Sequence, residues 1–262
     1  MKDMIGKNDN LENLDSLVNH LDGTYKNSRS GSMKLGREIH DITYSIQANL
    51  ADRVSDVVEP AKGYRIAMTN NAIRDSFNTH ELIYGTLSST RISNGIAIYD
   101  NLLEPQITAN LLFIVDEDIY PSADTNEILE KISVASSIEI LDSRIKNWFS
   151  KLSVVDLIVD NSLAGQVVVG NPVKVDSSDL LENIKVNLKC DGETVKVVNF
   201  NENITNTLKA MDVLVNKLAK KGNFLKKGMI VTAGSYTVPK ALYRGEYYAD
   251  FGILGDVTLK VR

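Results

Sequence analysis

The sequence predicts an α+β fold: a helical N-terminal part, residues 1–60, followed by a β-rich body with a mixed sheet, residues 61–262. Three observations carry this expectation. Apolar residues recur at helical spacing in the first sixty positions. A nearly continuous apolar run stands at Ala109–Val115, and an Asp-Gly pair at 191–192 splits two β-type segments.

In the N-terminal part, Leu11, Leu14, Leu17, Val18 and Leu21 mark one helical face. Asp9 stands at capping-box distance from Glu12, and Gly23 closes the helix. Lys26–Gly36 reads as a loop, and Ile39, Ile42, Ile46 and Leu50 line a second helix that stops before Pro60. In the body, Tyr64–Thr69 predicts a strand and Asn70–Phe77 a short helix. Ala109–Val115 fits a strand covered on both faces. Asp124–Ile132 predicts a capped helix, and Ser137–Asp142 and Gln166–Val175 predict strands. Ile184–Cys190 and Thr194–Phe200 form a hairpin across Asp191-Gly192, which supplies the positive φ angles of a tight turn. Leu208, Met211, Leu214, Val215 and Leu218 predict a helix ended by Gly222, before strands at Met229–Ala233 and Val257–Val261.

The 262 residues carry a net charge of −5 with both signs interleaved, which excludes the basic stripe of a nucleic-acid binder and matches an anionic membrane surface poorly. A single cysteine, Cys190, rules out an intramolecular disulfide. No signal-like or membrane-spanning apolar stretch is read, so a cytoplasmic protein is expected. Nucleotide-binding glycine loops, C-x-x-C and G-x-S-x-G are absent. His20, His40 and His80 make no metal-ligand spacing, and the basic stretch Lys217–Lys227 reads as a solvated helix end.

Five segments carry the functional signal. They are Gly63-Tyr64-Arg65-Ile66-Ala67-Met68-Thr69, Ser137-Ile138-Glu139-Ile140-Leu141-Asp142-Ser143-Arg144-Ile145, Val159-Asp160-Asn161-Ser162-Leu163-Ala164-Gly165, Gly228–Thr237 with its Ala-Gly-Ser-Tyr-Thr turn, and Ala249-Asp250-Phe251-Gly252-Ile253-Leu254-Gly255. In this order they resemble the 2-keto-4-pentenoate hydratase / 4-oxalocrotonate decarboxylase branch of the fumarylacetoacetate hydrolase superfamily. The resemblance implies a body of the fumarylacetoacetate hydrolase C-terminal type. It also implies a lyase acting on a short 2-oxo or 2-hydroxydienoate acid, with magnesium or manganese as Lewis acid, and self-association into a homo-oligomer. In the family, three carboxylates hold the metal, two from a P-x-x-E-x-E strand and one from the E-I-V-D-S-R segment. Glutamates two apart on a strand share a face and reach one ion.

This chain departs from that pattern. The matching strand reads Pro105-Gln106-Ile107-Thr108-Ala109-Asn110, so Thr108 and Asn110 replace two carboxylates and only Glu139 is retained. Arg65 stands at the family's lysine, and His80, or Glu81 after a one-residue slip, at its acidic turn. The expected site is therefore a degenerate metal site. Glu139 is its retained metal ligand or a base, and His80 moves a proton. Arg65 and Ser235 contact substrate, and Thr108 and Asn110 either do the same or are hydrogen-bonded interior residues. Arg65 either grips the substrate carboxylate or pairs with Glu139 or Asp142. Asp142 and Arg144 fix the backbone or a subunit contact. Magnesium or manganese is held weakly or not at all. The alternatives to a lyase are a catalytically silent member in complex with a related family member, and a small-acid sensor without turnover.

Overall fold

The computed structural model of the chain describes residues 43–44, 46–47, 61–77, 79–145, 152–181, 184–200, 204–233 and 238–262. The expected helices of residues 1–60, apart from the helical residues Thr43, Tyr44, Ile46 and Gln47, lie outside the described residues, as do His20, His40, the 26–36 loop and Ser235.

The strands are, in chain order, β1 (Gly63–Ala67), β2 (Ile83–Leu87), β3 (Ile92–Ser93), β4 (Ile96–Ala97), β5 (Pro105–Val115), β6 (Ile132–Asp142) and β7 (Ala164–Lys174). They continue with β8 (Lys185–Cys190), β9 (Glu193–Asn199), β10 (Ile230–Ala233), β11 (Lys240–Ala241), β12 (Gly245–Asp250) and β13 (Asp256–Val261). An eight-stranded sheet runs β2-β1-β10-β5-β6-β7-β3, with β11 also on β5, and a five-stranded sheet runs β4-β13-β12-β8-β9. The large sheet is mixed, as expected: β1 and β10 are parallel, while β5 is antiparallel to both β10 and β6. The body thus has the predicted β-rich, mixed-sheet character.

β5 and β6 are the spine. Each has 11 residues, and nearly every side chain on them is buried. That explains their apolar runs, since a strand covered on both faces loses the alternation of a surface strand. Ile107, Ala109, Leu111 and Phe113 join the main core, while Leu112 packs with Leu87, Ala135, Val167 and Ile230 in a second cluster. The helix Ile204–Ala219 buries Leu208, Met211, Leu214, Val215 and Leu218, and Gly222 follows with φ +71°. The hairpin turn forms at Asp191 (φ +49°) and Gly192 (φ +88°). Asp124 caps the helix Thr125–Glu130, accepting from the N–H groups of Asn126 and Glu127 at 2.9 Å.

Several elements were not expected from the sequence, among them the helix Val154–Val159 and β12. The helix starts at a capping box between Ser153 and Asp156, and β12 bridges β13 and β8. The first is short and buried at every position but Val154, so it lacks an amphipathic stripe.

Two sequence segments hold each other. Asp160, 0% exposed, pairs with the Nε of buried Arg144 and accepts from Ser143 Oγ at 2.8 Å. Asp142 Oδ1 accepts from the backbone N–H groups of Leu103 (2.8 Å) and Glu104 (3.0 Å), which anchors the entry into β5. Arg144 and Asp142 therefore do backbone work.

Burial raises the Asp142 carboxyl above its ordinary value, against the lowering influence of Arg144, the two N–H donors and Arg91. A group raised in the folded state contributes stability that is present below its unfolded pKa and lost as pH rises through the folded one. Asp142→Asn keeps the Oδ1 acceptor and removes the buried charge. Urea midpoints of the variant relative to the parent are expected to rise between pH 3.5 and pH 7. A relative loss at pH 7 would contradict this account of Asp142.

Candidate active site

The site is assembled by register. In β5 and β6, Thr108 lies opposite Glu139 and Asn110 opposite Ser137. In β1 and β10, Arg65 lies opposite Thr232, which lies opposite Leu112 of β5. Directly opposed residues share a sheet face, and so do residues two apart. Arg65, Thr232, Asn110, Thr108 and Glu139 therefore project from one face of four adjacent strands.

All five are buried, with Glu139 1% and Arg65 2% exposed. Arg65 Nε stands 2.8 Å from Glu139 Oε1, a close ion pair in which the N–H is not aligned as a hydrogen bond. Arg65 Nη1 donates to the carbonyl of Ser162 at 2.7 Å. Glu139 Oε1 also accepts from Thr232 Oγ1 at 3.0 Å, and Oε2 accepts from Asn110 Nδ2 at 2.5 Å. Both carboxylate oxygens are thus engaged by the protein. Asn110 Oδ1 and Ser162 Oγ are buried and have no hydrogen-bond partner among the described residues.

The backbone that presents Ser162 is unusual. Asn161, Ser162 and Leu163 are consecutive left-handed residues, with φ of +53°, +52° and +62°. Each such non-glycine residue costs on the order of 1–2 kcal/mol, so other contacts must hold the turn. Asn161 supplies them: its Oδ1 accepts from Thr86 N at 2.7 Å and its Nδ2 donates to Thr86 O at 2.9 Å, imitating a neighbouring strand on β2. Gly85 permits the approach, because a Cβ there would sit 2.1 Å from Asn161 O.

Beside the cluster is a small pocket of about 50 Å³. Arg65 and Ser162 line it together with Met68, Ile73, Phe77, Ile83 and Leu157.

The structure brings together Arg65, Thr108, Asn110 and Glu139, and of the pairings considered for Arg65 it shows Glu139. His80 is elsewhere. It is exposed and lines a separate cleft of about 780 Å³ with Tyr44, Arg74, Glu81, Lys217 and Lys220. Glu81 lines the same cleft and pairs with Lys217 at 3.3 Å. Thr232, Asn161 and Ser162 were not singled out from the sequence. The signal for Thr232 was a lone polar residue inside the apolar strand Ile230–Ala233. For Asn161 and Ser162 the sequence held no cue to left-handed backbone. Among the described residues, no three His, Cys, Asp or Glu side chains gather as a metal cluster.

No protein-family model matches the chain. Among curated proteins, 2-keto-4-pentenoate hydratase 1 of Dechloromonas aromatica (strain RCB) is 28% identical over 203 residues, covering 75% of this chain and 76% of the relative. The 4-oxalocrotonate decarboxylase of Pseudomonas putida is 21% identical over 78% of each. The chain is thus similar in sequence to named hydratases and decarboxylases of this group. The 2-oxo-hept-4-ene-1,7-dioate hydratase of Escherichia coli is a further relative, 27% identical over 76% of this chain and 78% of its own length. A solved structure of 4-oxalocrotonate decarboxylase from Pseudomonas putida G7, complexed with magnesium and adipate, superposes with a TM-score of 0.82 at 20% identity, covering 96% of this chain and 98% of that one. At that identity the likeness establishes the fold, which is the one the group uses.

Removing one member of a buried ion pair leaves an uncompensated charge and costs about 3–5 kcal/mol. Arg65→Met and Glu139→Gln are each expected to destabilise the chain by that order in urea unfolding. The double variant is expected to cost at least 1 kcal/mol less than the sum of the two. Strict additivity would show that the two side chains do not interact as described.

Proposed function

We propose that the chain is a hydratase- or decarboxylase-type lyase acting on a short 2-oxo or 2-hydroxydienoate acid, and that its metal site is degenerate. The observation that carries the reading is the position of Arg65. A guanidinium occupies the retained carboxylate Glu139 on the sheet face where the sequence resemblance places a metal centre.

The donors present do not fit a divalent ion held by the protein alone. Hard dications want several oxygen ligands with carboxylate charge, and here there is one carboxylate, one amide and one hydroxyl. At about 4 Å and an effective dielectric near 20, Glu139 attracts a dication by roughly 8 kcal/mol, and Arg65 repels it by a similar amount. The two cancel, and the dehydration of the ion is left without compensation.

The chemistry is therefore assigned to the chain's own residues. Arg65 uses Nε and Nη1 on Glu139 and Ser162, while Nη2 has no partner among the described residues. In the proposed site Nη2 receives the oxygens of the 2-oxo acid head and stabilises the charge that develops on the 2-oxygen. Asn110 Oδ1, which accepts, and Ser162 Oγ, which accepts or donates, are buried without partners among the described residues and meet the substrate's polar atoms. Glu139, held by Thr232 and Asn110, shuttles the proton between carbons as the conjugated chain takes up water or loses carbon dioxide. Ser235 contributes a further substrate contact. Residues 1–60 and 61–262 are proposed as N-terminal region and catalytic body, and the chain as a homo-oligomer.

The test is turnover of 2-hydroxypenta-2,4-dienoate, followed by loss of diene absorbance, with magnesium, with manganese and with chelator. Turnover in chelator is expected for the natural chain, with metal dependence only in the Thr108→Glu/Asn110→Glu variant that also carries Arg65→Gln. No turnover of any dienoate under any of these conditions would reject the lyase reading. Turnover abolished by chelator in the natural chain would reject the degenerate site.

A further inference from the structure

The pocket beside Arg65 is lined by two chemically distinct sets of residues. One is polar: the guanidinium of Arg65 and the buried hydroxyl of Ser162, which has no partner among the described residues. The other is apolar and walls the pocket with Met68, Ile73, Phe77, Ile83 and Leu157. These walls come from separate places: the residue after β1, the helix Asn71–Ser76 and the residue after it, β2, and the helix Val154–Val159. Among the described lining residues Arg65 is the one cation, and Glu139 already faces it at 2.8 Å.

The pocket's volume limits the ligand. At about 50 Å³ it is far smaller than the cavity of about 150 Å³ that takes up benzene. It has room for a short unbranched tail and not for a branched or ring-bearing one.

Charge limits it further. A carboxylate at the far end of the tail would leave water for a wall in which the described side chains are apolar and offer no donor, and an unpaired buried charge is strongly disfavoured. Arg65, the one cation among the described lining residues, has Nη2 left for a single acid head.

We infer that this site selects 2-oxo monocarboxylates with a short apolar tail and rejects dicarboxylates of the oxalocrotonate or heptenedioate type. The inference rests on reading the Arg65–Glu139 cluster as a 2-oxo acid site. It assigns specificity to Ile73, Phe77 and Ile83, which neither the resemblance nor the comparisons single out. The relatives divide on this point, some being named for monoacid and others for diacid substrates.

The experiment is calorimetric binding of 2-oxopentanoate and 2-oxohexanedioate to the whole chain. The monoacid is expected to bind at least about tenfold more tightly, a difference of about 1.4 kcal/mol. Phe77 and Ile73 are only half-buried, so a cation placed there can reach water and the fold tolerates it. Phe77→Arg, with Ile73→Lys as a second variant, is expected to narrow that ratio to about threefold or invert it, by giving the distal carboxylate a partner. Equal or tighter binding of the diacid by the natural chain overturns the specificity while leaving the 2-oxo acid site standing. An unchanged ratio in both folded variants also overturns it, since the tail would then lie elsewhere. Binding of neither acid removes the proposed function itself, and the inference with it.

Discussion

The contact between Arg65 and Glu139 is the constraint around which the interior of the large sheet is arranged. Two charged side chains stand at the centre of a face built from β1, β10, β5 and β6, both almost fully buried. Neither could remain there alone, because a buried charge without a partner is among the most costly features a fold can carry. The surrounding polar residues follow from this. Thr232 and Asn110 donate to the carboxylate, and the carbonyl of Ser162 accepts from the guanidinium. That carbonyl is brought into place by three left-handed residues, which the Asn161 side chain pins to β2 over Gly85.

The arrangement gives a physical account of the substitutions that distinguish this chain from the pattern its sequence resembles. With three carboxylates on the face, an ion of charge two would balance them in part. With one carboxylate, a single guanidinium balances it fully, and an amide and a hydroxyl fill the remaining positions without adding charge. Thr108 and Asn110 are then consistent with each other and with Arg65, since each change removes the electrostatic reason for keeping the others as they were. Arginine suits the role better than lysine: its planar group reaches Glu139 and the Ser162 carbonyl together and still leaves a nitrogen for a ligand.

Much of the body was legible in the sequence. The apolar runs of β5 and β6, the Asp191-Gly192 turn and the stripe of helix Ile204–Ala219 are local signals, and the structure places elements where they point. Helix Val154–Val159 was not legible, because it is six residues long, five of them are buried, and no polar face gives it a period. The candidate site was legible in part. Glu139, Arg65, Thr108 and Asn110 emerge from departures within recognisable segments, and strand alternation alone puts Thr108 and Asn110 on one face. The partners Thr232 and Ser162 depend on which strands neighbour each other and on a left-handed turn, both properties of the tertiary fold. The separation of His80 from Glu139 is of the same kind, since distance across the fold is not written in residue type.

The central claim is that a guanidinium stands in for a dication. It is tested most directly by titrating the unliganded chain with manganese and following free ion by electron paramagnetic resonance. The account predicts no stoichiometric binding to the natural chain and the appearance of a site in the Thr108→Glu/Asn110→Glu variant once Arg65 is replaced by glutamine. Tight one-to-one binding of manganese by the natural, substrate-free chain would contradict it.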